Sequence, residues 1–283
     1  MKANILQNLL YTTVFLLTGI GLSGQSLARI WETSPEFDKP ESAVFDPQNQ
    51  AIYVSNICGQ YSTRDGNGFI SKVDMNGKIL DLKWITGLNS PQGLALHDNF
   101  LYVADMDEVV RIDIRAAKID TIFRSENAIF LNDAASDQFG NVYISDCRAN
   151  RIYKLAGDHL SVWLNGAFLN GVNGLLCQGD KFFVLNMGIG DIYRVDTKTM
   201  ESDIFCSGIK NCDGIVPDGK DGYFVSGAWQ GEIYHLDCEG QKNLVLDLSP
   251  EKVVTADIGF IPGENILLIP TLNKTLMAYQ FKW

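Results

Sequence analysis

The chain has 283 residues, 46% of them hydrophobic and 26 of them glycine, with 34 acidic against 23 basic side chains and a formal charge of −11. That acidity argues against nucleic acid or an anionic membrane as partner and suits a cation. No proline-, serine- or charge-rich linker divides the sequence, so a single domain over residues 27–283 is expected after an N-terminal leader.

Residues 1–26 read as a secretory signal: Lys2, an apolar run over 9–22, and small residues that offer cleavage sites. The run is short for a spanning helix, which needs roughly 20 apolar residues. The expectation is export to a periplasmic or extracellular space, with no stable membrane insertion after cleavage. An uncleaved N-terminal anchor is the alternative. Six cysteines (Cys58, Cys147, Cys177, Cys206, Cys212, Cys238) would permit disulfides there, but their spacing assigns no pairing and matches no zinc pattern.

From Glu41 onward one unit recurs. It is clearest at residues 131–146, where two short strands flank a turn at 137–140 and bring Asn132 and Asp146 to one sheet edge. Its copies start at Glu41, Gln92, Asn132, Asn173, Asp213 and Asp257, in steps of 51, 40, 41, 40 and 44 residues. A third strand follows in each copy (FISKVD at 69–74, RIYKL at 151–155, DIYRVD at 191–196) and a fourth in all but the last. Such a period predicts an all-β, six-bladed propeller with four strands per blade. Residues 28–33 have strand character and no hairpin partner, so they are expected to complete the sixth blade and hide its edge. The first copy is longer by residues 57–68, which should overhang the Asn132 edge as a lid or as a tolerated insertion.

The six start positions would surround one channel with three carboxylates and three amides. Uncompensated charge there is costly, and a hard divalent cation such as calcium resolves it. No histidine lies in the ring, which disfavours zinc or iron. A channel filled with ordered water is the other reading.

These residues resemble the SMP-30/gluconolactonase/LRE-like family of six-bladed calcium propellers, with kin in the diisopropyl-fluorophosphatase and paraoxonase groups. The resemblance rests on Glu41 in ESAVFD, Asn132 in NDAASD, Asn173 in NGL and Asp213 in DGI, in order along the chain. It implies that Glu41, Asn132, Asn173 and Asp213 bind calcium, or another divalent cation, and that Asp213 doubles as catalytic base in lactone or ester hydrolysis. Phe130 stands where family lactonases often carry an arginine, and the paraoxonase-type histidine has no counterpart. Asp146 or Asp105 is a second candidate base, with a turn-capping aspartate as the alternative for both, and Asn56, Asp105, Asn186 and Phe130 are candidates to line the substrate mouth. The expected partner is a small lactone or ester, bound by a monomer. The alternative is a non-catalytic propeller, stabilised by calcium, that binds a sugar, peptide or protein.

Overall fold

The computed structural model describes residues 26–282, and nearly all of the expected leader lies outside them. Six sheets of four antiparallel strands surround a central channel, each running from an inner strand at the channel to an outer strand at the periphery. The inner strands are Pro40–Asp46, Pro91–His97, Leu131–Ser136, Val172–Gln178, Cys212–Pro217 and Gly259–Ile261. Helical structure among the described residues is limited to one turn of 3-10 helix, Ser249–Glu251. The fold is an all-β six-bladed propeller.

Burial explains the sequence pattern. Second strands such as Ala51–Asn56 and Val142–Asp146 are buried along their whole length, because neighbouring blades cover both faces. Outer strands such as Lys118–Arg124 alternate between exposed and partly buried residues, since one face meets water. The apolar core is divided into six seams, one between each pair of adjacent blades. Between the third and fourth blades, Tyr143, Trp163 and Phe182 pack with ring centroids 4.7–5.0 Å apart. Each fully buried large side chain stabilises the fold by about 1.5–3 kcal/mol.

Ring closure follows the expected scheme. Ser26–Glu32 pairs antiparallel with Leu276–Lys282, so the two chain ends share the sixth blade. The strand begins two residues before the stretch expected from sequence and ends one residue before it. All six cysteines are unpaired thiols.

One local feature recurs and decides what the channel contains. In five inner strands the pairing to the second strand slips at the same place, between Pro40 and Ala43, Pro91 and Leu94, Leu131 and Ala134, Val172 and Leu175, and Cys212 and Ile215. Each bulge releases two consecutive residues from the ladder and re-aims their side chains. Serines on the second strand catch freed backbone groups. The N–H groups of Ser42, Asp133 and Gly214 donate to Ser55, Ser145 and Ser226 Oγ, each at 2.9 Å.

Candidate metal centre

The bulged pairs build two levels in the channel. The level nearer the rim holds Glu41, Gln92, Asn132, Asn173 and Asp213. The deeper level holds Ser42, Gly93, Asp133, Gly174 and Gly214. Asp257, expected to be the sixth ring member, belongs to the deeper level. It bridges to Ser42 in parallel, and its N–H donates to the Glu41 carbonyl at 3.0 Å. The sixth blade therefore presents Ala256 at the rim level, and the ring has a gap on that side. The displacement by one residue arises because this blade's inner strand, Gly259–Ile261, is short and lacks the bulge used to align the others.

Gln92 is satisfied locally, its Nε2 donating to Ser90 O at 3.1 Å and Ser90 Oγ at 2.9 Å. The other four ring residues are not. Glu41 Oε2, Asn132 Oδ1, Asn173 Oδ1 and Asp213 Oδ1 are buried and accept no hydrogen bond. A buried acceptor left without a donor costs about 1–3 kcal/mol, and a charged one more. The unpartnered Tyr53 and Tyr153 hydroxyls, by contrast, stand singly within separate blade seams. Here four blades each contribute one to a common space. No three His, Cys, Asp or Glu side chains cluster tightly enough to hold a metal by themselves among the described residues. The convergent set is two carboxylates and two amides, a donor set suited to a hard cation.

The deeper level adds two carboxylates to which sequence reasoning gave no ligand role. Asp133 is fixed by the N–H groups of Ala134 at 2.7 Å and of Leu175, on the next blade, at 2.6 Å. Asp257 Oδ2 accepts from Ser42 Oγ at 2.5 Å. A side chain on Gly93 would collide with Asp133, and one on Gly214 with Asp257, so glycine at these two positions makes room for the pair. The visible signal was the Asn132-Asp133 doublet.

Four buried carboxyls thus share a small volume, and all are shifted upward. Burial raises Asp213 to about 8, with Asp257 adding repulsion and a hydrogen bond from Asn173 opposing the rise. Burial raises Asp257 to about 7 against the Ser42 bond. Glu41 and Asp133 are pushed well above the carboxylate range, chiefly by burial and then by repulsion from Asp213 and Asp257 respectively. Among the described residues, no basic side chain brings them back down.

Around the rim, the residues expected to face substrate do another job. Asn56, Asp105, Asp146 and Asn186 each end a second strand and have no exposed surface. Asn56 Oδ1 accepts from the N–H of Asp38, Asp105 from those of Asn89 and Ser90, and Asn186 Oδ1 from that of Asn170. Asp146 accepts from the N–H groups of Ile129, Phe130, Arg148 and Ala149 at 2.8–3.2 Å. These side chains clamp the loops that lead into the inner strands, because buried backbone donors need acceptors. In this clamp role both oxygens of Asp146 and of Asp105 already accept hydrogen bonds, the capping alternative for these two aspartates. Phe130 is also buried, and the Arg148 guanidinium covers its ring at 4.6 Å.

Residues 57–68 do overhang the ring. Lys39 Nζ holds the Gly59 carbonyl, Ser90 Oγ donates to the Tyr61 carbonyl at 2.9 Å, and Arg64 pairs with Asp107 and Glu108 of the second blade. The Tyr61 ring meets Trp229 of the fifth blade edge-on, centroids 6.2 Å apart. The loop therefore ties the first blade to the second and fifth. A separate cavity of about 460 Å³ opens at the opposite end of the channel, with Asp133 and Asp257 among its otherwise largely apolar walls. The four unpartnered oxygens are not in it.

No protein-family model matches the chain, and no curated protein matches it. Solved structures do. A gluconolactonase from Xanthomonas campestris superposes with a TM-score of 0.69 at 14% identity, covering 88% of each chain. A catalytically inactive virginiamycin B lyase from Staphylococcus aureus, crystallised with quinupristin, gives 0.64 at 12% identity over 91% of this chain and 99% of that one. A streptogramin B lyase gives 0.65 at 10% identity over 91% and 98%. The likeness is one of fold. Two different chemistries stand among these neighbours, so function has to be argued from the site.

Proposed function

We propose that this protein is an exported, calcium-dependent hydrolase of lactone or ester bonds, of the SMP-30/gluconolactonase-like kind. The observation that carries the reading is the set of four buried oxygens without donors, on Glu41, Asn132, Asn173 and Asp213, converging beneath the arched loop. These residues would hold the cation, calcium by the hardness of their oxygens, with another hard divalent ion as the alternative. When bound, the ion supplies a Lewis acid to polarise a scissile carbonyl.

The chain's own residues supply the remainder. Asp213 is the general base, a buried carboxyl that a bound cation would hold ionised and so able to accept a proton at neutral pH. Asn173 stands beside Asp213 in the ring and favours its ionised form. Tyr61 and the loop carrying it restrict water above the ring. Asp133 and Asp257 bring negative charge beneath it without occupying the mouth. Export rests on the apolar run at residues 9–22 and a monomer on the closed ring, and both belong to the same proposal.

The test uses purified mature protein, a panel of lactones and aryl esters, and paired reactions with calcium or with chelator. Turnover is expected with calcium and lost with chelator. Because a ligand that binds only the folded state adds RT ln(1 + [L]/Kd), calcium at a hundredfold excess over Kd should add about 2.7 kcal/mol of stability. A melting point that responds to calcium without any turnover would leave a scaffold whose ion is structural. No response in either measurement would leave a channel of ordered water.

A further inference from the structure

The polar side chains at the second-strand ends of the rim above the four-oxygen ring are already engaged. Asn56, Asp105, Asp146 and Asn186 are spent on backbone clamps, and Gln92 and Ser90 bind one another. Large apolar side chains stand exposed on the same rim. Trp229 is 51% exposed, and Ile129 and Ile189, on the loops of the third and fourth blades at the same rim, are 54% and 48% exposed. Met187 sits at its inner edge, its sulfur 3.8 Å from Asn173 Nδ2. Trp229 also holds a left-handed backbone conformation, φ 68°, which is unfavourable for a bulky residue and is tolerated where surroundings or function demand it. Tyr61 faces it from the arched loop, and burial together with the nearby Glu41 and Asp213 charges raises the phenol's pKa, so its hydroxyl stays protonated.

We propose that Tyr61 and Trp229 form an aromatic clamp above the ring that holds an apolar or aromatic part of the substrate, so that this site selects lipophilic lactones or aryl esters over polyhydroxylated sugar acids. The inference rests on the hydrolase reading and adds a substrate class to it. A sugar acid needs hydrogen-bond partners for several hydroxyls, and strand-end side chains spent on their own loops offer it none. An alkyl tail or aryl ring instead covers the exposed indole and isoleucines and gains affinity with every methylene buried. Two cations beside this stretch are laid over rings, Arg148 over Phe130 at 4.6 Å and Lys39 over Tyr61 at 4.9 Å.

The experiment separates binding from turnover. Calorimetric titration in calcium measures affinity for a γ-lactam bearing an unbranched eight-carbon tail and for the tailless lactam, both resistant to hydrolysis. Steady-state kinetics compares the matching lactones with glucono-δ-lactone. The wild-type protein is expected to bind the tailed lactam at least tenfold more tightly and to favour the tailed lactone by a similar factor in kcat/KM. Trp229→Ala should erase both preferences while leaving the calcium-dependent rise in Tm in place. Trp229→Phe, which keeps an aromatic wall, should retain most of both, and it replaces the alanine variant if that one melts early. Tail-dependent binding lost in Trp229→Ala, with no lactone turned over, would uphold the clamp and sink the hydrolase reading. Turnover that favours glucono-δ-lactone, or a tail preference indifferent to Trp229, would overturn the clamp and leave the hydrolase reading standing.

Discussion

Asp213 and Asp146 look alike in sequence and differ in what surrounds them. Asp213 has a buried oxygen with no donor and a pKa raised to about 8, whereas Asp146 has four backbone donors. Asp213→Asn keeps shape and removes charge. A unit charge pair at 4 Å near a protein surface is worth about 4 kcal/mol, and after neighbouring ligands adjust, calcium should bind at least about tenfold more weakly. Turnover should stay absent even at saturating calcium. Activity recovered by added calcium would reduce Asp213 to a ligand. Asp146→Ala should instead act on stability alone. Hydrogen bonds to a charged group contribute about 1.5–3 kcal/mol each, so unfolding free energy should fall by about 3 kcal/mol or more in a urea titration, with the calcium affinity of the folded protein unchanged. A small loss of stability with a changed KM would return Asp146 to the substrate mouth.

At the scale of the strand, the repeat period and the alternation of apolar residues carried most of the fold. Four strands per blade, their order and the closing strand were legible because burial imposes a pattern on every copy. The bulges were not legible. A register slip leaves no residue type behind it, and only the Asn-Asp and Asp-Gly doublets hint that two successive side chains turn the same way. That is why Asp257 was aligned one position too high and Asp133 was given no ligand role. The rim clamps were misread for a related reason: a polar residue at a strand end looks the same whether it faces substrate or its own loop. The closing strand yields a direct test. Removal of residues 26–32 uncovers the edge of Leu276–Lys282 and exposes its long row of unpaired backbone groups. The truncated protein should aggregate or lose cooperative unfolding, as read by light scattering and calorimetry. A monomer that melts as before would show the strand to be dispensable.

For the whole molecule, the four channel carboxyls tie stability to pH. Their folded pKa values lie above the unfolded value near 4, about 8 for Asp213 and about 7 for Asp257, with Glu41 and Asp133 shifted the same way. The folded protein then binds more protons than the unfolded chain between those limits. Their contribution is fully present below about pH 4 and is lost as pH rises through 7 to 8. Surface carboxylates with lowered pKa, such as Asp113, Asp120 and Asp196, act in the opposite sense but only at more acid pH. Metal-free protein should therefore melt lower at pH 8 than at pH 5. Calcium selects the ionised carboxylates, so the rise in Tm that it produces should be larger at pH 8. A metal-free Tm that climbs between pH 5 and pH 8 would mean that the carboxyls are already compensated.

The seam between the last blade and the first has a consequence for the order of assembly. Asp257 reaches across it twice, through its N–H to the Glu41 carbonyl and through its carboxylate to Ser42. Glu41 emerges early in synthesis and Asp213 late, and the ring that joins them closes only when the final strand meets the first. Blades can form one by one from local hairpins, but the four oxygens become a set only at that last encounter. A cation binding there would act as a latch on a finished ring, unable to help any earlier intermediate. Refolding should then be insensitive to calcium until its slowest phase, while unfolding should begin with the loss of the ion and the parting of the two chain ends.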